Sequence, residues 1–221
     1  HDALPIWRSR SLRRSWRCTR ADRRDRCANA ACRFTRSMPD AHVAVVVLAA
    51  GASSRMGQPK LLLPLAGEPL LRRAAARALA SGASSVTVVV PPAAPDWREA
   101  VDGLAVSVVE APTLGGPVSG SLHAAIDAID KEADAVLVVL ADMVGVTAAM
   151  MSAVIAAGGS APCRLVGSSY GDVVAPPLLI PARHFAELRS KSGDGIGRAL
   201  FTAHAAEALC VDWPAAALEV V

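Results

Sequence analysis

Aromatic residues are scarce in this sequence: one Tyr, three Phe and four Trp among 221 residues. Trp97 and Trp213 stand too far from other rings to build a base-stacking platform, which removes that mode of single-strand nucleic-acid binding. Long hydrophobic runs are missing too. The longest, Val43–Ala50 and Ala135–Ala141, fall well short of the roughly 20 residues needed to cross a bilayer, so no membrane span is expected. Cysteine is sparse and odd in number. Cys18, Cys27 and Cys32 sit near the N-terminus and Cys163 and Cys210 lie far downstream, which is not the pattern of a secreted disulfide framework. A reducing, cytoplasmic setting follows as the expectation. The spacing of Cys18, Cys27 and Cys32 lacks the paired short intervals of zinc sites, with no His nearby to complete one. Cys163 and Cys210 read as core residues.

What is present is 52% hydrophobic and 19% charged, the balance of a globular protein with one domain or at most two. The net charge of +3 hides an asymmetry. Residues 1–37 carry 11 Arg against 3 acids, whereas residues 38–221 carry 12 Lys+Arg against 17 acids. The first segment shows no apolar period of 2 or 3.6, so disorder is expected there. It also lacks the apolar stretch of about 7–15 residues that follows the basic start of a secretory signal. A nucleic-acid arm and an Arg-rich transit peptide are weaker readings than upstream sequence translated ahead of a start at Met38. The chain begins with His, and Met38-Pro39 stands just before the first convincing strand. The expectation is a non-native or disordered extension over 1–37 and one domain over 38–221, long enough to bury a core without disulfides or structural metal.

Within that domain His42–Ala50 predicts a strand buried on both faces, because Val43, Val45, Val46, Val47 and Leu48 run on without polar alternation. A helix from Pro69 to about Ser81 stopped by Gly82, a strand at Val86–Val90 ended by Pro91-Pro92, and a short helix over Asp96–Val101 follow. Next come a strand at Leu104–Val109, a helix over Val118–Asp130 and a buried strand at Ala135–Ala141 ending at Asp142. Thr147 reads as the N-cap of a helix through Ala157. The remainder predicts strands at Arg164–Gly167 and Pro177–Ile180, helices over Ala182–Ser190 and Gly197–His204, and a closing strand at Ala208–Val211. This alternation predicts an α/β fold with a doubly wound, mostly parallel (mixed) sheet, whose ligand lies beyond the carboxyl ends of the strands.

The stretch Leu48-Ala-Ala-Gly-Ala-Ser-Ser-Arg-Met-Gly-Gln-Pro-Lys60 is built like a phosphate cradle directly after a buried strand. Gly51 and Gly57 can offer backbone N–H groups, Ser53 and Ser54 add donors, and Arg55 and Lys60 neutralise a polyphosphate. It matches neither the dinucleotide G-x-G-x-x-G pattern nor the P-loop. Two cations at this spacing favour phosphate binding over a solvated loop. Asp142 at a strand's carboxyl end is five residues from Thr147, too far to cap the following helix, and suits a Mg²⁺ ion. Asp194 reads equally as a second metal carboxylate or a turn residue, and Arg198 equally as a ligand or a helix-surface charge. Gly120 and Ser121, opening the Val118 helix, are candidates for base or ribose contact, with the helix N-terminus favouring nearby negative charge. His123, His184 and His204 show no acidic or cysteine partner at helical spacing, which predicts surface or half-buried positions rather than a triad or zinc site.

At these residues the sequence resembles the MobA-like nucleotidyltransferases, especially their molybdenum cofactor cytidylyltransferase branch. Leu48–Lys60 is similar to the family's signature loop, Leu61–Leu70 to the segment after it, Ser121-Leu122 to the end of its nucleotide loop, Leu140-Ala-Asp142 to its metal-site strand end, and Gly193-Asp194 with Arg198 to its C-terminal motif. The resemblance spans Val43–Val211 and implies a Rossmann-like nucleotide-diphospho-sugar transferase fold. It implies Mg²⁺-dependent transfer of a nucleotide to a phosphorylated acceptor with release of pyrophosphate. Arg55 and Lys60 would be catalytic; Leu48, Ala49, Ala50, Gly51, Gly57, Gly120 and Ser121 would hold nucleotide; Asp142 and Asp194 would hold metal. Ala50 and Pro59 are similar to the CTP-using rather than the GTP-using branch, which implies molybdenum-bearing molybdopterin as acceptor and a molybdoenzyme as possible partner. No nucleic-acid or membrane partner is expected. Ala111, Pro117, Val144 and Ile196 depart from the family pattern, as does the stretch Val174–Pro177. They keep three alternatives in view: a sugar- or alcohol-phosphate nucleotidyltransferase, an NAD(P)H oxidoreductase of the nicotine-blue type, and a non-catalytic molybdoenzyme accessory protein.

Overall fold

The computed structural model describes residues 41–51, 59–129, 131, 133–159, 164–171 and 173–218. The expected basic extension, Ser53, Ser54, Arg55, Gly57 and Cys163 lie outside the described residues. Strand β1 is Val43–Leu48, and every residue in it is buried. Its side chains alternate between two apolar clusters: Val43, Val45 and Val47 face one, and Ala44, Val46 and Leu48 face the other. Strand β6, Ala135–Leu140, divides the same way, with Leu137 and Val139 on the first side and Val136 and Val138 on the second. The continuous apolar run therefore reflects a sheet covered on both faces, each fully buried Val contributing roughly 1.5–3 kcal/mol.

The covering helices are α1 (Leu70–Leu79), α2 (Pro95–Ala100) and α4 (Ala148–Gly159) on one face, and α3 (Val118–Ala128), α5 (Phe185–Ser190) and α6 (Ile196–Ala203) on the other. With β4 (Ser85–Val90), β5 (Ser107–Glu110), β7 (Val166–Tyr170), β8 (Val173–Pro181) and β9 (Leu209–Trp213), the seven-stranded sheet runs β5-β4-β1-β6-β8-β7-β9. Only β8 runs against its neighbours, pairing antiparallel with both β6 and β7, so the sheet is mixed and mostly parallel.

The unpatterned stretch Val174–Pro177 is the middle of β8. Pro176 and Pro177 cannot donate to a ladder, and the register against β7 shifts at that point, from Ala175 opposite Ser168 to Leu179 opposite Val166. Side chains satisfy the carbonyls there: Ser168 Oγ donates to Pro177 O at 3.0 Å and Tyr170 Oη to Pro176 O at 2.9 Å. A two-stranded hairpin absent from the sequence reading, β2 (Pro64–Leu65) with β3 (Glu68–Pro69), links the signature loop to α1. Its turn residues Ala66 and Gly67 both have positive φ, the type I′ pattern that suits the twist of a hairpin. Thr147 is the cap expected of it: its Oγ1 accepts the Met150 N–H at 3.2 Å.

Candidate active site

The carboxyl ends of β1, β4, β5 and β6 share one edge of the sheet, because these four strands are parallel neighbours. Backbone bonds then stitch the departing chains together. Ala49 N–H donates to Val89 O, Ala141 N–H to Leu48 O, and Gly115 N–H to Ala50 O, so the chains leaving β1, β4, β6 and β5 are fastened at one place. Leu48, Ala49 and Ala50 are buried. Gly51 is exposed, with open space where a side chain would stand.

From opposite sides of this edge Lys60 and Asp142 come together. Lys60 opens a 3-10 turn, Lys60–Leu62, anchored by buried Leu61, and Asp142 follows the last residues of β6. The Nζ lies 3.2 Å from Asp142 Oδ2, with the two side chains 17% and 31% exposed. Such a partly open ion pair contributes little to stability, on the order of 1 kcal/mol or less. Its value is positional: an ammonium and a carboxylate at the mouth of a parallel sheet can meet a polyphosphate and a divalent cation respectively. The residue types expected for both roles are thus adjacent.

The loop carrying Asp142 is braced from behind by a residue the sequence reading passed over. Arg77 of α1 donates through Nη1 to Val144 O at 2.7 Å and to Val146 O at 2.9 Å. Burial and the neighbouring Arg73 charge hold its guanidinium below the ordinary value. Gly145, between those two carbonyls, has no room for a side chain, because a Cβ there would run into the Ala217 carbonyl. The sequence signal for Arg77 was its place one turn after Arg73, near the end of a helix whose buried positions are all apolar.

Asp194, Gly120 and Ser121 come together at the N-terminus of α3. Gly120 and Ser121 lie within the first turn of α3, as the expected helix start at Val118 implies, and Ser121 is buried. The N-terminus of α3 already has a carboxylate: Asp194 Oδ1 accepts the Val118 N–H at 3.0 Å. Pro117, at the cap position, has no side chain to perform that role. The neighbouring bonds are reciprocal, Ser119 N–H to Gly193 O at 3.3 Å and Gly193 N–H to Ser119 Oγ at 3.0 Å, while Gly120 N–H goes to Pro117 O. The helix N-terminus does attract negative charge, and the charge is the protein's own. Asp194 works here as a cap supplied by another segment, and the Asp142 carboxylate is engaged separately by Lys60.

His184 overturns a further expectation, whereas His123 and His204 are half-buried as expected. His184 is buried, and its partner at helical spacing is Glu187, three residues on and 3.8 Å from Nδ1. His204 Nε2 lies 2.8 Å from the same carboxylate oxygen. His123 Nε2 meets Leu188 O at 2.9 Å. The i to i+3 spacing of His184 and Glu187 was in the sequence; the approach of His204 depends on the fold.

The profile of the MobA-like NTP transferase domain matches residues 45–208. The chain belongs to that family. The family is named for nucleotidyl transfer, the activity that the resemblance at Leu48–Lys60 implied. A Mycobacterium sp. strain JC1 homologue of Mycobacterium tuberculosis Rv0371c superimposes with a TM-score of 0.69 at 28% identity, covering 78% of this chain and 86% of that one. Rv0371c itself, in a manganese complex, gives a TM-score of 0.67 at 23% identity over 79% and 89% of the chains. A nucleotidyl transferase from Methanothermobacter gives 0.70 at 23% identity over 81% and 91%. Among curated relatives, the bifunctional protein GlmU of Halorhodospira halophila is 57% identical over 51 residues, which is 22% of this chain and 11% of GlmU. The chain thus spans about a tenth of the length of the curated relative it matches. The family fold is therefore secured over nearly the whole described domain.

Proposed function

We propose that this family member transfers CMP from CTP to a phosphorylated acceptor, molybdenum-bearing molybdopterin, and releases pyrophosphate. The observation that carries this reading is the Lys60–Asp142 pair at the carboxyl edge of β1 and β6, directly after the Gly51 loop. In the reaction an acceptor phosphate oxygen attacks the α-phosphorus in line. A new P–O bond forms, the bond from the α-phosphorus to the bridging oxygen breaks, and pyrophosphate leaves with the electron pair. Lys60 supplies fixed positive charge where negative charge grows on the leaving group, and Arg55 is assigned the same role on the motif.

A single carboxylate with open solvent beside it suits Mg²⁺, which takes one or two carboxylates and keeps waters and phosphate oxygens as its other ligands. That Asp142 already carries an ammonium 3.2 Å away supports its capacity to hold a cation. When bound, the ion would polarise the α-phosphate. Asp142 would be its first ligand, and Asp194, occupied at α3, would be the weaker candidate. The manganese complex of Rv0371c supports divalent-metal use by this fold. CTP is assigned over GTP from Ala50 and Pro59, and the acceptor from the same branch resemblance; both are tested by binding. A ligand that binds the folded state raises its melting temperature. CTP is expected to do so in the presence of Mg²⁺, with GTP and ATP much weaker. Stabilisation by GTP alone moves the protein to the guanylyl branch, and stabilisation by NADPH alone without metal sinks nucleotidyl transfer.

A further inference from the structure

Away from the sheet's carboxyl edge, three side chains meet where α5 and α6 close into a hairpin. His184 ends the 3-10 turn Ala182–His184 that follows β8, Glu187 lies in α5, and His204 is the residue after α6. A ring nitrogen of each histidine and an oxygen of Glu187 lie within 4.8 Å of one another. Glu187 Oε2 is shared, at 2.8 Å from His204 Nε2 and 3.8 Å from His184 Nδ1, and the two imidazoles are tilted by 60° with centroids 4.5 Å apart. Lys191 Nζ takes the other oxygen, Oε1, at 3.3 Å. We propose that His184, Glu187 and His204 form a binding site for a divalent ion of the Zn²⁺ class, which clasps the α5–α6 hairpin.

Two imidazoles and a carboxylate are a donor set that suits Zn²⁺ and the late first-row divalent metals, and Mg²⁺ poorly. The site is reachable, since Glu187 and His204 are about one-third exposed. In the metal-free protein Arg183 Nε donates to His184 Nε2 at 3.0 Å, so the ring proton resides on Nδ1. Metal binding at Nδ1 shifts that proton through water to Nε2, and Arg183 must turn away. It can do so: its side chain is 37% exposed and its other partner, Glu207, lies at the surface. The clasp has a consequence at a distance. The turn between α5 and α6 carries Gly193 and Asp194, which fasten the N-terminus of α3, so closing the hairpin stiffens that attachment.

The test titrates the full chain with Co²⁺ as spectroscopic stand-in for Zn²⁺, in excess Mg²⁺. One equivalent should give the visible bands of low-coordinate cobalt with nitrogen and oxygen ligands, and Zn²⁺ should displace it. His204→Gln and Glu187→Gln should each weaken binding by at least about 10-fold, the loss that even outer-shell changes at metal sites produce. Arg183→Gln should tighten it, because a competing donor and a positive charge are removed. A Zn²⁺-induced rise in melting temperature, present in the parent and lost in Glu187→Gln, separates ligand loss from misfolding. Binding unchanged in both ligand variants, thiolate-to-cobalt bands that put the ion on cysteine, or no binding at all overturns the proposal.

Discussion

Replacing Arg77 with Met keeps most of the aliphatic stem and removes the guanidinium, leaving the Val144 and Val146 carbonyls without their donor. Both bonds are short, 2.7 and 2.9 Å, and the donor is charged and half-buried. Hydrogen bonds to charged groups contribute about 1.5–3 kcal/mol each, and water reaching the partly exposed loop recovers some of that. We expect a net loss of about 2–3 kcal/mol. For a domain of this size about 2–4 °C of melting temperature accompanies each kcal/mol, so calorimetry should register a fall of roughly 4–12 °C. Arg73→Met is the control: its bond to Leu65 O is long and exposed at 3.3 Å, and its change should stay within about 0.5 kcal/mol. If Arg77→Met melts within about 2 °C of the parent, the brace behind Asp142 has no weight and the loop is held by other contacts.

Leu137, fully buried between β1 and β8, should lose about 3–4 kcal/mol on truncation to Ala, read from the urea midpoint; a loss below about 1 kcal/mol contradicts the two-sided core. Tyr170 is the sole tyrosine, and burial pushes its phenol up to about 12, so its absorbance titration should show no phenolate near pH 10 while the fold persists. Because the folded value lies above the unfolded 10.0, this group's contribution is complete below pH 10 and is lost as pH rises toward about 12. His184 has the opposite sign. Its folded value lies below 6.5, so the unfolded chain binds the extra proton and stability falls as pH drops below 6.5; Glu187, held below 4.5, extends the loss to lower pH. Denaturation series across that window should show a flatter slope for His184→Gln, and an unchanged slope refutes the assignment.

The two-faced strands were plain in the sequence because β1 and β6 are unbroken apolar runs, and only a sheet covered by helices on both sides buries such runs. Strand β8 was readable only in its last part, since Pro176 and Pro177 look like an interruption until the register shift against β7 accounts for them. The β2–β3 hairpin is too short to show any period. Lys60 and Asp142 were legible one by one, through the loop and the strand end, but their 3.2 Å contact was not, because it joins residues 82 positions apart. Asp194 as the cap of α3, and His204 beside Glu187, join residues 76 and 17 positions apart, and no local pattern encodes such meetings.

The chemistry assigned to Lys60 and Asp142 is read from pyrophosphate release from CTP in the presence of a molybdopterin acceptor and Mg²⁺. Acceptor-dependent release is expected from the parent protein. Lys60→Ala and Asp142→Asn should each lower it about 10²–10³-fold, the scale for removing one group that stabilises transition-state charge. Their melting temperatures should change little, because the Lys60–Asp142 pair is partly exposed. Release that is undiminished in both variants contradicts the assignment of the site.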